Sequence, residues 1–258
     1  MRESVAERGQ RLAKRVDSQY AACPLAASQD GTCPFRLRPW ASDGNFRPSL
    51  GEKGRDVDSD LAEAVSALKE SFQRRGLPLQ FGKTDPKVVS GFKSKLRIPR
   101  RYRDFLTESD PLEVETRTPA ERVRLIPSAE FEAEQVGFAL DDGGGLIASV
   151  SPSGWRPSWV IVGHSALLGD PYFLDVAMPD AEGDCPVYTA MSGTDSWKPR
   201  LCASSFALFV RILALGMEVA EGFADDDLDM DDEQVFRDTL GPRIRLYDPA
   251  ALKAGHWT

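Results

Sequence analysis

The sequence predicts an α+β fold in which a central, mainly antiparallel sheet is flanked by helices. Apolar residues recur at helical spacing between about 59 and 109 and again after Ser204. Between these stretches lie short strand-like runs, separated by Gly, Pro, Asp and Ser clusters. A helix does not stand between each pair of runs, which favours antiparallel pairing over a doubly wound sheet. With 258 residues and 41% hydrophobic content, the chain has the means to bury a core.

Residues 1–58 form a loop-rich or partly disordered N-terminal extension. A basic helix is possible over 1–20, and the rest is rich in Pro, Gly, Ser and Asp without a sustained period. Phe35, Trp40 and Phe46 are its candidate anchors. In "SDLAEAVSALKESFQRRG", Leu61, Val65, Leu68 and Phe72 make one helical stripe, with Ser59 as N-cap and Gly76 as stop. Two further helices follow, opened by Asp85-Pro86 and by Pro99. The second turns Tyr102, Phe105 and Leu106 inward and Arg100, Arg101, Arg103 and Asp104 outward.

After Asp110-Pro111 the runs "LEVET", "RVRLI", "GLIASV", "SWVIVG", "PYFLDV" and "PVYTAM" read as strands, with a helical interruption near "PSAEFEAEQV". "ASSFALFVRILALG" closes the body as a helix capped by Ser204 or Ser205, burying Phe206, Phe209, Val210 and Leu213. Residues 217–258 then read as an acidic, helical C-terminal extension.

Charge is divided unevenly along the chain. Residues 1–110 hold 21 Lys and Arg against 15 Asp and Glu, a net +6; residues 111–258 hold 11 against 25, a net −14. An acidic half of this size disfavours nucleic acid, whose phosphates need Lys and Arg, and favours a basic protein partner. No apolar run is long enough to span a membrane, and the N-terminus lacks the apolar centre of a secretory signal, so a cytoplasmic protein is expected. Cys23, Cys33, Cys185 and Cys202 lie far apart, as reduced thiols would.

Three stretches invite a chemical reading. In "GDPYFLDV", Asp170 and Asp175 are five residues apart, which at ~3.3 Å per residue is roughly 16 Å along a strand, too far for a paired-carboxylate site. The odd separation also sends them to opposite faces. Asp170 then reads as a turn residue, with Tyr172, Leu174 and Val176 toward the core and Asp175 opposite. "WVIVGHSALLG" offers Ser165 as a nucleophile in an α/β-hydrolase-like elbow, with a later Asp and His256 completing a triad. Against it, Leu167 takes the place of a small residue, and Gly169-Asp170-Pro171 ends any supporting helix within a turn. His164 reads as a loop residue. "DDDLDMDDEQVF" alternates Asp225, Asp227, Asp229 and Asp231, but Met230 and Phe236 replace the Gly and Glu that a calcium loop needs. A solvated acidic cap on a helix remains, with Asp231 and Asp232 at its start. Walker, dinucleotide and H-E-x-x-H signatures are missing from the sequence, and no cofactor or metal is expected.

Taken in order, three segments resemble the SUKH superfamily, which joins bacterial toxin-immunity proteins to a fungal regulator of cell-wall synthesis. They are "LRIPRRYRDFL" (96–106), "WVIVGHSALLGDPYFLDV" (159–176) and "VYTAMSGTDSWKPRLCASSFALFVRIL" (187–213). The resemblance makes residues 59–216 a SUKH-like α+β domain and leaves the first 60 residues and the acidic tail outside it. It implies a non-catalytic, protein-binding function: an immunity protein that neutralises a toxin, often a nuclease, or else an intracellular scaffold. Candidate contacts are acidic and aromatic loop residues: Asp141, Asp142, Trp155, Asp175, Asp180, Glu182, Asp184 and Trp197.

Overall fold

The computed structural model describes residues 57–92, 96–147, 154–191, 196–223 and 230–258, and of residues 57–59, 230 and 231 the backbone alone. All belong to one compact unit, Arg55–Thr258. The N-terminal extension with its three aromatic anchors, Cys23 and Cys33 lie outside the described residues, as does most of the Asp225–Asp231 run.

Helix α1 (Val57–Arg74) starts two residues before Ser59 and buries Leu61, Val65, Leu68 and Phe72. It ends where Gly76 takes φ +62, allowing Leu77 N to donate to Phe72 O at 3.1 Å. Strand β1 (Gln80–Gly82) pairs antiparallel with β2 (Asp110–Glu113). At three residues, β1 is too short to show an alternating pattern in the sequence. Between them lie α2 (Pro86–Ser90) and α3 (Arg100–Ser109). Asp85 caps α2 by accepting from Lys87 N, whereas Pro99 is itself the N-cap of α3 and brings no side-chain hydrogen bond. Tyr102, Phe105 and Leu106 are buried as anticipated, but so is Arg101, expected outward and only 3% exposed.

The main sheet runs in chain order: β3 (Val123–Leu125), β4 (Trp159–Ser165), β5 (Pro171–Asp175), β6 (Val187–Thr189) and β7 (Arg200–Ala203), every neighbour antiparallel. The α+β architecture is therefore as the sequence predicts. Helix α4 (Phe131–Glu134) is the interruption after β3. The described part of "GLIASV" forms no strand; Leu146 makes a single bridge with Leu140. "RLCA", which became β7, is too short and too polar at its start to stand out. His164, expected in a loop, sits in β4 opposite Arg124 and Pro171.

Helix α5 (Phe206–Val219) is capped by Ser205 Oγ, which accepts from Leu208 N. A 3-10 turn (Ala220–Gly222), α6 (Met230–Tyr247) and α7 (Pro249–Lys253) complete the chain. The boundary expected at 216 does not exist. Phe236, Leu240, Ile244, Ala251 and Trp257 lie in the same core as the sheet, so residues 230–258 are part of the domain.

Both faces of the sheet are covered. Tyr172 stacks near Phe209 of α5, with ring centroids 5.3 Å apart, on one face. On the other, Trp159 and Phe173 lie beneath Trp155, whose ring sits 4.8 Å from Phe173. Beyond the end of β3, the Gln135 amide stands in for a strand: Nε2 donates to Ile161 O at 2.9 Å, and Ile161 N donates to Oε1 at 3.0 Å. Fully buried, this side chain satisfies backbone groups that would otherwise face an apolar interior.

Candidate functional site

Two short loops carry the exposed candidates, and they are built alike. In Asp141–Gly145, Asp141 N donates to Gly145 O and Gly144 N donates back to Asp141 O. Asp141 Oδ1 accepts from Gly143 N and Gly145 N at 2.9 and 2.8 Å. In Asp180–Asp184 the same four bonds recur: Asp180 N to Asp184 O, Gly183 N to Asp180 O, and Oδ1 from Glu182 N and Asp184 N at 3.0 and 2.8 Å. The fourth residue of each loop is a glycine at positive φ, Gly144 at +75 and Gly183 at +76, a conformation that side chains rarely adopt. Each aspartate folds its own loop with Oδ1, and Oδ2 takes no part in those bonds. Asp142 and Glu182 project from the same loops and are exposed.

Three of the other candidates lie inside. Asp184 is 3% exposed; its carboxylate accepts from Phe206 N at 2.9 Å and Ala207 N at 3.1 Å, holding the first turn of α5, and from Cys185 N at 2.7 Å. Burial pushes its pKa up, and those three backbone donors oppose the shift. Asp175 is 6% exposed, because both faces of β5 are packed. Its Oδ2 lies 3.4 Å from Trp159 Nε1 and its Oδ1 accepts from Ala177 N. Trp155 is buried with its indole donating to Trp159 O. Neither carboxylate nor Trp155 is available to a partner surface. Trp197 is half-buried, its ring 5.2 Å from Trp155 and 5.8 Å from Phe138.

The hydrolase triad is not formed. Ser165 Oγ donates to Glu121 Oε1 at 2.7 Å and accepts from Leu168 N at 3.1 Å. His256 Nε2 lies 3.1 Å from the Tyr172 hydroxyl instead. Glu121 lies between the two, close enough to Tyr172 for their charges to interact. The result is a buried polar chain, Ser165–Glu121–Tyr172–His256, joining β4, β5 and the C-terminus. Burial raises the Glu121 pKa, drives that of Tyr172 well above its ordinary value, and lowers that of His256 to about 4, with Arg237 and Arg200 nearby. The turn after Ser165 returns directly into β5, with Gly169 at φ +75 and Gly169 N donating to Ser165 O, so no helix supports the serine. His164 Nε2 sits 3.0 Å from Glu134 Oε2, without hydrogen-bond alignment.

Sequence reasoning missed Glu121. It stands alone between Ala120 and Arg122 in an unremarkable polar stretch, and only sheet pairing brings it to Ser165. The loop motif had a visible signal: Asp followed three residues later by Gly, in "DDGG" and "DAEG". Among the described residues, no group of three or more His, Cys, Asp or Glu is placed to hold a metal ion, and no helix is long and apolar enough to cross a membrane. No family model, curated protein or solved structure matches the chain significantly.

Proposed function

We propose that this is a non-catalytic, SUKH-like protein-binding domain: an immunity protein of the bacterial cytoplasm that neutralises a toxin, by preference a nuclease, through direct contact. One observation carries the reading, the pair of matching loops at 141–145 and 180–184. Each pins an aspartate through backbone hydrogen bonds and leaves further carboxylates in solvent. Side chains already ordered lose less entropy on binding, which favours affinity. A nuclease presents Lys and Arg to phosphates, and carboxylates at fixed positions suit that surface while speeding encounter. Trp197, half-buried, is a candidate aromatic anchor.

The test uses the toxin domain encoded by a neighbouring gene. Reversing charge at Asp142 and Glu182, which keeps both loop-forming aspartates, is expected to weaken binding about tenfold or more and to flatten its salt dependence. Asp184 stays untouched, because its loss would disturb α5. Unchanged affinity and salt slope would remove these loops from the interface.

A further inference from the structure

Helix α6 turns Phe236, Leu240 and Ile244 into the core. The line of the helix directly opposite faces water and should be polar. It holds Val235, Thr239, Pro242 and Leu246 instead, all exposed, Val235 at 54% and Leu246 at 80%. Thr239 adds little polarity, because its hydroxyl donates to Val235 O at 2.8 Å within the same helix. Pro242 lies inside the helix, where it removes one backbone hydrogen bond and presents a flat apolar ring. Single exposed apolar residues are ordinary, but these four form one uncharged row. Their spacings are four, three and four, the pattern by which one helix packs lengthwise against another.

Two charges border the row on the same side, Asp238 and Arg245, seven residues apart and both exposed. Asp238 accepts from Gln234 Nε2 at 2.9 Å, but among the described residues neither it nor Arg245 has an ion pair. On the other border, Arg243 is already held by Glu218 at 3.3 Å. When two copies of α6 lie antiparallel about a two-fold axis, Val235 meets Leu246 of the second copy and Thr239 meets its Pro242. The same symmetry sets Asp238 beside Arg245 of the second copy, and Arg245 beside its Asp238. Parallel pairing would offer Asp238 only Arg243, which Glu218 occupies. The row therefore complements itself in one orientation, by apolar contact and by charge.

We propose that α6 is a homodimerisation helix, pairing antiparallel with α6 of a second copy of this chain. Burial of Val235, Pro242 and Leu246 supplies the attraction, and the two Asp238–Arg245 pairs fix the orientation. The surface shares no residue with the acidic loops, so the toxin-binding reading and this one can fail separately.

Sedimentation equilibrium of the full chain over about a hundredfold range of concentration tests it. A monomer–dimer equilibrium is expected, weakened about tenfold or more by Leu246→Glu. Asp238→Lys and Arg245→Glu should each weaken it as well, because each sets like charges together twice. An equimolar mixture of those two variants should dimerise again, since the lysine of one then faces the glutamate of the other and Arg245 faces Asp238. Unchanged far-ultraviolet circular dichroism separates loss of pairing from loss of fold. A monomer at every concentration would leave the row to a different partner and overturn the proposal. So would single variants that dimerise like the unaltered chain, or a mixture that stays monomeric.

Discussion

Asp141 and Asp180 hold the same place in two loops with the same hydrogen bonds, 39 residues apart in a chain without internal repeats. In both, one carboxylate oxygen collects two backbone N–H groups while the loop closes through a glycine at positive φ. The likeness ends at the surroundings. The 180–184 loop is tied into the body, because Gly183 O accepts from Arg101 N and Asp184 caps α5. Removing the carboxylate should therefore cost more at Asp180 than at Asp141. Urea unfolding of Asp180→Ala is expected to show a loss of about 1–2 kcal/mol, and Asp141→Ala about half of that. Equal losses would mean that the body does not depend on the second loop.

Asp184→Ala should be the most damaging change among the acidic loop residues. It strands Phe206 N and Ala207 N at the start of a buried helix, for a cost of about 2–4 kcal/mol. Asp184→Asn keeps one acceptor and should lie between. Denaturant midpoints at constant slope would rank the three proteins.

Gln135→Leu is nearly equal in size but removes both hydrogen bonds to Ile161. Two buried backbone groups then go unpaired, and a loss of about 2–4 kcal/mol is expected. Hydrogen exchange should locate it, with the Ile161 amide exchanging faster while the β5–β6 amides stay protected.

His256 gives the domain a pH signature. Its folded pKa, about 4, lies below the ordinary 6.5 because the ring is buried with Arg237 and Arg200 close by. As pH falls through the unfolded value, the unfolded chain takes up the proton first, so stability drops between about 6.5 and 4 and levels off below. The full loss is on the order of 3 kcal/mol. Glu121 and Asp184 act oppositely, since their raised folded values relieve a burial cost as they protonate. Comparing the protein with His256→Asn over that range isolates the histidine: the variant should lose less stability on acidification. Parallel curves would mean that His256 is solvated in the folded state.

Ser165→Ala addresses the buried polar chain. It takes one donor from Glu121, leaving the backbone N–H of Arg122. A loss of about 1–2 kcal/mol is expected, together with a further rise in the Glu121 pKa. Stability curves against pH for the two proteins would show it as a larger gain on acidification in the variant.

Much of the fold was legible because its signals are local. The stripe Leu61, Val65, Leu68 and Phe72, the Asp85-Pro86 cap, a serine cap at Ser204 or Ser205, the Gly76 stop and the "WVIVG" and "PYFLDV" strands each declare themselves within a few residues. The short strands β1 and β7 did not, because three or four residues hold too little pattern to separate strand from loop; pairing partners made them strands. Arg101, read as outward from charge alone, went inside for the same tertiary reason.

The candidate surface was legible only as composition. Asp141, Asp175, Asp180 and Asp184 look alike in the chain: acidic, next to turn residues, in the negative half. What separates them is their neighbours in space. Asp175 lies in a strand packed on both faces, and Asp184 faces the open end of a helix that begins 22 residues later. Ser165 and His256 suggested a triad by order, but the partners actually reached are Glu121 and Tyr172. Residue order determined the helices, the central strands, the α+β class and the acidic half. Tertiary packing alone decided which carboxylates meet water, since burial and hydrogen bonding depend on atoms brought together from distant parts of the chain.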